Sequence, residues 1–303
     1  MATPFGPLVA TYSIVARDPE TGQLGVGVQS SYFSVGSQVS WSVAGVGAVA
    51  TQSIIEVAYG PKALELLGQG ASASEALEQL VEADAGAALR QVAIVDAKGR
   101  VATHTGGACV PASGHAVGDG YSVQGNMLAS DAVWQAMGPA FEQAEGDLAE
   151  RMMAALDAAE AAGGDVRGRQ SAALLVTSGE ACEHAWEGRL FDVRVDDHSQ
   201  PLAELRRLVT IERAFALFEE ARGLIGQGQI DASLELANQA LELQPGHPQF
   251  CFWTGLALAN AGRNDEARRY LSECFAANDG WRELALRLAG LGAYTGDPGL
   301  LEP

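Results

Sequence analysis

Thr11 opens a stretch of alternating character, Thr11-Tyr-Ser-Ile-Val-Ala-Arg17, and a glycine-rich run, Leu24-Gly-Val-Gly-Val-Gln-Ser-Ser31, returns after one turn. A hydroxyl at the head of a strand, followed by a glycine-rich return strand, is a candidate nucleophile. The chemistry this points to is acyl transfer. Thr11 is the candidate nucleophile, and Ser13 lies on the same strand face. Ser30 and Ser31 end the returning strand opposite Thr11, where their hydroxyls can orient a reacting amine or the substrate. A tetrahedral intermediate needs donors for its oxyanion, and Gly125-Asn126 offers a backbone N–H and a side-chain amide. Arg167 and Arg169, in a polar glycine loop, supply guanidinium forks for a substrate carboxylate.

Each of these residues also has a plainer reading. Thr11 and Ser13 suit any β-strand, Gly125-Asn126 suits a turn or the start of a helix, and loop serines usually bond neighbouring backbone. His104, Cys109, His115, Cys182 and His184 match no standard zinc spacing, so no metal is expected. Neither a GxGxxG nor a GxxxxGK[ST] pattern leads into a helix, so no nucleotide cofactor is expected either.

The elements that must hold these side chains follow from pattern. Thr11–Ala16 and the Leu24–Gln29 run form a hairpin across Asp18-Pro-Glu-Thr-Gly22, and Val39–Val43 and Val46–Thr51 suggest another pair of strands. The glycine face of the return strand predicts close approach of a backbone or a ligand. Pro61–Leu67 reads as a helix, and Ser72-Ala-Ser-Glu75 is a capping-box pattern before a second one. Gln91–Val95 and Val101–Thr105 make a further hairpin, with Tyr121–Gln124 a strand, Asp131–Phe141 and Asp147–Ala162 helices, and Ser171–Thr177 and Leu190–Val195 strands. Strands and helices grouped in blocks argue for an α+β fold with two mainly antiparallel sheets face to face and helices outside them. A doubly wound parallel sheet is the competing architecture, but the short hairpin turns do not suit crossovers.

From about Pro201 the chain turns to Ala, Leu, Glu and Arg at helical spacing, which places domains at 1–198 and 199–303. Gly228-Gln-Ile-Asp-Ala-Ser233 recurs as Gly262-Arg-Asn-Asp-Glu-Ala267, and 262 − 228 = 34 residues is the tetratricopeptide period. Ala221 and Gly255 hold the small position of the first helix, with Ala240 and Pro245 in the second and at its end. The segment resembles a minimal all-α tetratricopeptide-like array, which implies a protein or peptide partner or an oligomer contact. Phe250, Phe252 and Trp253 fall at packing positions within it.

Composition bounds the partners. The 303 residues carry 19 Lys+Arg against 38 Asp+Glu, a net charge of −19 that makes nucleic acid and anionic membrane poor partners. Four scattered cysteines, no signal-peptide pattern and no long apolar run lead to the expectation of a cytoplasmic protein without a membrane span.

Several blocks in order carry a family resemblance: Thr11–Ser31, Ala44-Gly-Val-Gly-Ala-Val-Ala-Thr-Gln52, Tyr59-Gly-Pro61, Val101-Ala-Thr-His-Thr-Gly106 and Gly120-Tyr-Ser-Val-Gln-Gly-Asn126. Together they resemble the bacterial family called domain of unknown function 1028, over roughly Thr11–Thr177. The resemblance implies a four-layer αββα sandwich like that of the N-terminal-nucleophile hydrolases, without an agreed reaction. Were the peptide bond before Thr11 cut, the freed α-amine, with a reference pKa of about 7.7 to 8.0, could take the proton of its own hydroxyl. Removal of Met1–Ala10 is then required, and the expected activity is hydrolysis of a small amide or peptide. Proteasome-like relatives place a lysine where this chain reads Val39-Ser-Trp-Ser-Val43, which favours the other expectation, a non-catalytic ligand-binding or assembly module. A homo-oligomer is expected in either case, since αββα domains often pair through exposed helices.

Overall fold

A computed structural model of the chain describes residues 8–9, 11–184 and 186–302. The chain divides into two compact units, Met1–Val209 and Thr210–Pro303. The first begins with β1 (Leu8–Val9), β2 (Thr11–Arg17), β3 (Leu24–Ser30), a single helical turn α1 (Gly36–Val39), β4 (Ser40–Val43) and β5 (Gly47–Ile54). Helices α2 (Tyr59–Gly68) and α3 (Ala73–Glu82) follow, then β6 (Arg90–Asp96), β7 (Val101–Thr105), β8 (Gly114–Gly118) and β9 (Tyr121–Asn126). Helices α4 (Ala132–Gln143) and α5 (Leu148–Ala161), strands β10 (Ser171–Thr177) and β11 (Arg189–Val195), and the start of α6 (Pro201–Gly226) complete it.

Two sheets result. In one, β1 and β4 both pair with β5, followed by β6 and β7; the other runs β11-β10-β3-β2-β9-β8. Every pairing between these strands is antiparallel, so the doubly wound alternative is set aside. The turns explain why. Asp18 Oδ1 accepts the backbone N–H groups of Glu20 and Thr21, and Gly22 takes a φ of +73° that closes the β2–β3 hairpin. Asp96 accepts the N–H groups of Lys98 and Arg100 between β6 and β7, where Gly99 has φ +80°.

Strand parity then sorts the side chains into three packing zones. Between the sheets lie Val15, Val26, Val28, Ala48, Ala50, Ala93 and Val95. The outer face of β5 and β6 (Val49, Val92, Ile94) meets Ala63 and Leu67 of α2 and Leu77 and Leu80 of α3. The outer face of the six-stranded sheet (Tyr12, Ile14, Val123, Leu174) meets Met137 and Phe141 of α4, Met152 and Leu156 of α5, and Leu202 and Leu205 of α6. At α3 the capping box is formed, with Ser72 Oγ accepting Glu75 N–H and Glu75 Oε2 accepting Ser72 N–H at 2.7 Å. The glycine face of β3 is filled by a helix rather than a ligand or backbone. A Cβ at Gly25 would stand 2.8 Å from Met152 Sδ, and one at Gly27 would stand 3.3 Å from Leu156 Cδ1.

Two local readings are corrected. Val39 belongs to the helical turn, where it is buried between the sheets with Val35, and the strand starts at Ser40. Gly114-His-Ala-Val-Gly118, which has too few β-branched residues to announce itself, is a strand against β9.

The second unit holds the rest of α6 with α7 (Ile230–Leu243), α8 (Pro248–Asn260), α9 (Asn264–Ala277) and α10 (Gly280–Gly290). Gly228 and Gly262 share a left-handed backbone, φ +75° and +76°, and each stands two residues before a helix, α7 and α9. A Cβ at Gly255 would sit 2.7 Å from Leu271 Cγ, so the small residue lets α8 and α9 approach. Phe218 of α6 stacks on Phe250 of α8 with centroids 4.6 Å apart. Among the described residues no helix is long and apolar enough to cross a membrane.

Candidate functional site

The inward positions of the central strands turn from apolar to polar at one end of the sheets. Thr11 on β2 stands in register with Ser30 on β3 and with Asn126 on β9, and Ser13 stands opposite Gln124. From the facing sheet come Gln52 of β5 and Gln91 of β6, themselves cross-strand partners. Thr11, Ser13, Ser30, Gln52, Gln91, Gln124 and Asn126 are all fully buried.

Buried amides are costly unless bonded, and these form a network across the inter-sheet space. Ser13 donates to Gln52 Oε1 at 2.7 Å and accepts from Gln124 Nε2 at 3.3 Å. Gln52 Nε2 donates to the carbonyl of Thr11 at 3.2 Å and to Gln91 Oε1 at 2.8 Å. Asn126 Nδ2 reaches the same Gln91 oxygen at 3.0 Å. Gln91 Nε2 lies 2.9–3.1 Å from the carbonyls of Gly125 and Gly114 and from Thr105 Oγ1. The Thr105 hydroxyl is in turn hydrogen-bonded to His115 Nδ1 at 2.8 Å. Burial and then the neighbouring His104 hold the His115 pKa below the ordinary histidine value. The oxygens Gln124 Oε1 and Asn126 Oδ1 are buried and unbonded.

The backbone is bent out of line at this end. Ser53, after Gln52, and Met127, after Asn126, take φ of 74° and 53°, a left-handed conformation that costs a non-glycine residue on the order of 1–3 kcal/mol. Val9 pairs with Ser53 in one sheet while Thr11 begins β2 in the other. Val9 and Thr11 therefore belong to different sheets.

The sequence-predicted residues fall into two groups. Thr11, Ser13, Ser30 and Asn126 share the interior end of the sheets. Gly125 is their neighbour on β9, turned the other way, where a Cβ would overlap Leu128. Gly125-Asn126 lies inside β9, so the expectation of a turn or helix start after Gln124 is corrected. Ser31, Arg167 and Arg169 lie around the loop after α5. Ser31 N–H donates to Asp165 Oδ2 at 3.1 Å, Arg167 pairs with the fully buried Asp165 carboxylate at 3.0 Å, and Arg169 pairs with Glu160 at 3.0 Å. Glu160 also accepts the Tyr12 hydroxyl at 2.7 Å, and burial with that carboxylate raises the Tyr12 pKa well above the ordinary phenol value. Both guanidinium groups thus already hold carboxylates of the protein.

Met1–Pro7 and Ala10 lie outside the described residues, and the expected removal of Met1–Ala10 falls largely on them. Cys109 Sγ bonds the Arg90 carbonyl and His104 the Ala87 carbonyl. Among the described residues no three His, Cys, Asp or Glu side chains converge as metal ligands would. Sequence reasoning missed Gln52, Gln91 and Gln124. Their signal is parity: each occupies the next inward position after small or apolar residues, as in Ala48-x-Ala50-x-Gln52 and Gln91-x-Ala93-x-Val95.

A family model described as a family of unknown function, DUF1028, matches residues 11–205. The chain belongs to this family. Among solved structures it is similar to protein SPO2555 from Silicibacter pomeroyi, whose crystal structure carries the same family model. The identity is 31% and the TM-score 0.59, over 66% of this chain and 88% of that one. No curated protein matches the chain.

Proposed function

We propose that this chain is the uncut form of an amidohydrolase of the N-terminal-nucleophile type, acting on a small amide or peptide once the bond before Thr11 is broken. The observation that carries the reading is the position of Thr11, at the first residue of an interior strand, flanked in register by Ser30 and Asn126. Its complete burial fits a precursor whose preceding chain, at Leu8–Val9, lies along the end of β5. In this reading the stacked layers are an αββα sandwich, in a domain set at 1–198, and the 34-residue recurrence within 199–303 is a tetratricopeptide-like unit for a protein or peptide partner.

The freed α-amine takes the Thr11 hydroxyl proton as Oγ attacks the substrate carbonyl, and the departing amine leaves with that proton. Water then hydrolyses the acyl-enzyme, its hydroxyl going to the acyl group and its proton, by way of the α-amine, to Oγ. The Asn126 amide, bonded to Gln91 in the uncut chain, and the Gly125 N–H are the candidate oxyanion donors. Ser30 orients the amine. Ser13, bonded on both sides, positions β2 against Gln52. Ser31, Arg167 and Arg169 would meet a substrate carboxylate only by exchanging Asp165 and Glu160 for it.

One observation favours the alternative of a non-catalytic ligand-binding or assembly module: among the described residues, the ionisable side chain hydrogen-bonded into the amide network is His115, which is joined to it only through Thr105 and Gln91 and makes no hydrogen bond to Thr11. A chain produced to begin at Thr11 separates the two. The hydrolase reading expects this chain to release amine from a panel of small chromogenic amides, and the Thr11→Ala form to be inert at equal foldedness. Equal, background-level release from both, with Thr11 confirmed as the first residue, would support the binding module.

A further inference from the structure

The five-stranded sheet stops at β4, while the six-stranded sheet continues past it through β10 and β11. Ser42 Oγ on β4 touches Thr177 Oγ1, at the end of β10 away from Ser171, which shares the Ser30 and Thr11 row. The overhang leaves a groove of about 630 Å³ between β11 on one wall and β4 and α2 on the other. Its size lies within the roughly 300–1,000 Å³ of small-molecule sites. Nothing in it belongs to the Thr11 cluster.

The lining is unequal in charge. Arg194, Asp192 and Arg189 stand on the inward face of β11, opposite Ala173, Leu175 and Thr177. Arg189 is neutralised by Asp192 at 2.5 Å. Arg194 has no such partner among the described residues, although most arginines of this acidic chain are paired. Its stem passes beside α1, where a Cβ at Gly36 would stand 3.1 Å from Arg194 Cγ and Cδ. Across the groove the Trp41 ring is seated on Gly60, where a Cβ would overlap it, and its Nε1 donates to the Gln38 carbonyl at 2.9 Å. Leu64 and Val43 continue that apolar wall. Glu65, on the exposed rim, accepts from Gln69 at 3.3 Å. Ser40 lines the groove, and its buried Oγ has no hydrogen-bond partner among the described residues. A hydroxyl so placed is open to a partner from outside the chain.

We propose that this groove binds a small organic carboxylate with an apolar or aromatic body. The carboxylate would lie on the Arg194 fork, with the Ser40 hydroxyl as a second donor, and the body against Trp41 and Leu64. The inference is independent of the Thr11 chemistry, because it uses a different part of the sheets and no catalytic step.

Calorimetric titration of the full chain with phenylacetate, phenylacetamide and 2-phenylethylamine at about 0.15 M salt tests it, since the overall negative charge is then screened beyond about 8 Å. Phenylacetate should bind saturably at one site, about tenfold or more tighter than phenylacetamide, with the amine weakest. Arg194→Met should bring phenylacetate to the phenylacetamide level, and the exposed Arg268→Met should leave it unchanged. Arg194 is exposed, so its replacement should not disturb folding. Lack of saturable phenylacetate binding, equal binding of acid and amide, tightest binding of the amine, or an undiminished affinity in Arg194→Met would each overturn the proposal.

Discussion

Replacing Gln91 by leucine removes the side chain that joins Gln52 to Asn126 in the buried network. Its oxygen accepts from Gln52 and Asn126, and its nitrogen serves Thr105 and the carbonyls of Gly114 and Gly125. In Gln91→Leu, Gln52 Nε2 keeps the Thr11 carbonyl, but Asn126 Nδ2 is stranded beside its already unbonded Oδ1. A stranded buried donor costs about 1–3 kcal/mol, and two carbonyls each losing one donor add less apiece, giving roughly 3–5 kcal/mol in all. At about 2–4 °C per kcal/mol for a unit of this size, the melting temperature of the first unit should fall by about 6–20 °C. A chain of two units can melt in two steps, so the affected transition is assigned from amide exchange in β5 and β6 peptides. Gln91→Glu should be worse at pH 8 than at pH 5. Its buried carboxyl has a raised folded pKa, so the stability it retains when protonated is lost as the pH rises. A Gln91→Leu loss below about 1 kcal/mol would refute the claim that the network is a cooperative, fully buried unit.

Gly60→Ala puts a methyl into the Trp41 ring, so it should destabilise the first unit by about 1–3 kcal/mol in urea unfolding and alter the near-ultraviolet signal of the displaced indole. His115 titrates below the ordinary histidine value, so the unfolded chain takes up a proton below about pH 6.5 that the folded one refuses. Stability should therefore fall as the pH drops from 7 towards 5, and His115→Gln should show a shallower fall; an identical pH profile would contradict the neutral, Thr105-bonded ring.

What the sequence disclosed and what it concealed have physical causes. The β2–β3 hairpin was readable because Thr11–Arg17 alternates and Asp18–Gly22 carries turn chemistry, and the start of α3 because Ser72 and Glu75 stand three apart. The α+β class, with antiparallel sheets and a helical C-terminal region, followed from such local signals. The occupant of the Gly25–Gly27 face was not readable, since Met152 and Leu156 lie more than a hundred residues away. Gln52, Gln91 and Gln124 escaped notice because a lone glutamine in a strand carries no local sign of its partners, which arrive from three separate strands. Arg167 and Arg169 looked free for the same reason, although Asp165 and Glu160 already hold them.

The assignment of Thr11 as a latent nucleophile is tested most directly by the intact mass and amino-terminal sequence of the untagged protein, as isolated and after prolonged incubation at neutral pH. The account predicts loss of the ten residues before Thr11, with Thr11 as the new first residue and no such loss in Thr11→Ala. A wild-type chain that still begins at Met1 or Ala2 after incubation would contradict it, because Thr11 would then have no α-amine to act as its base.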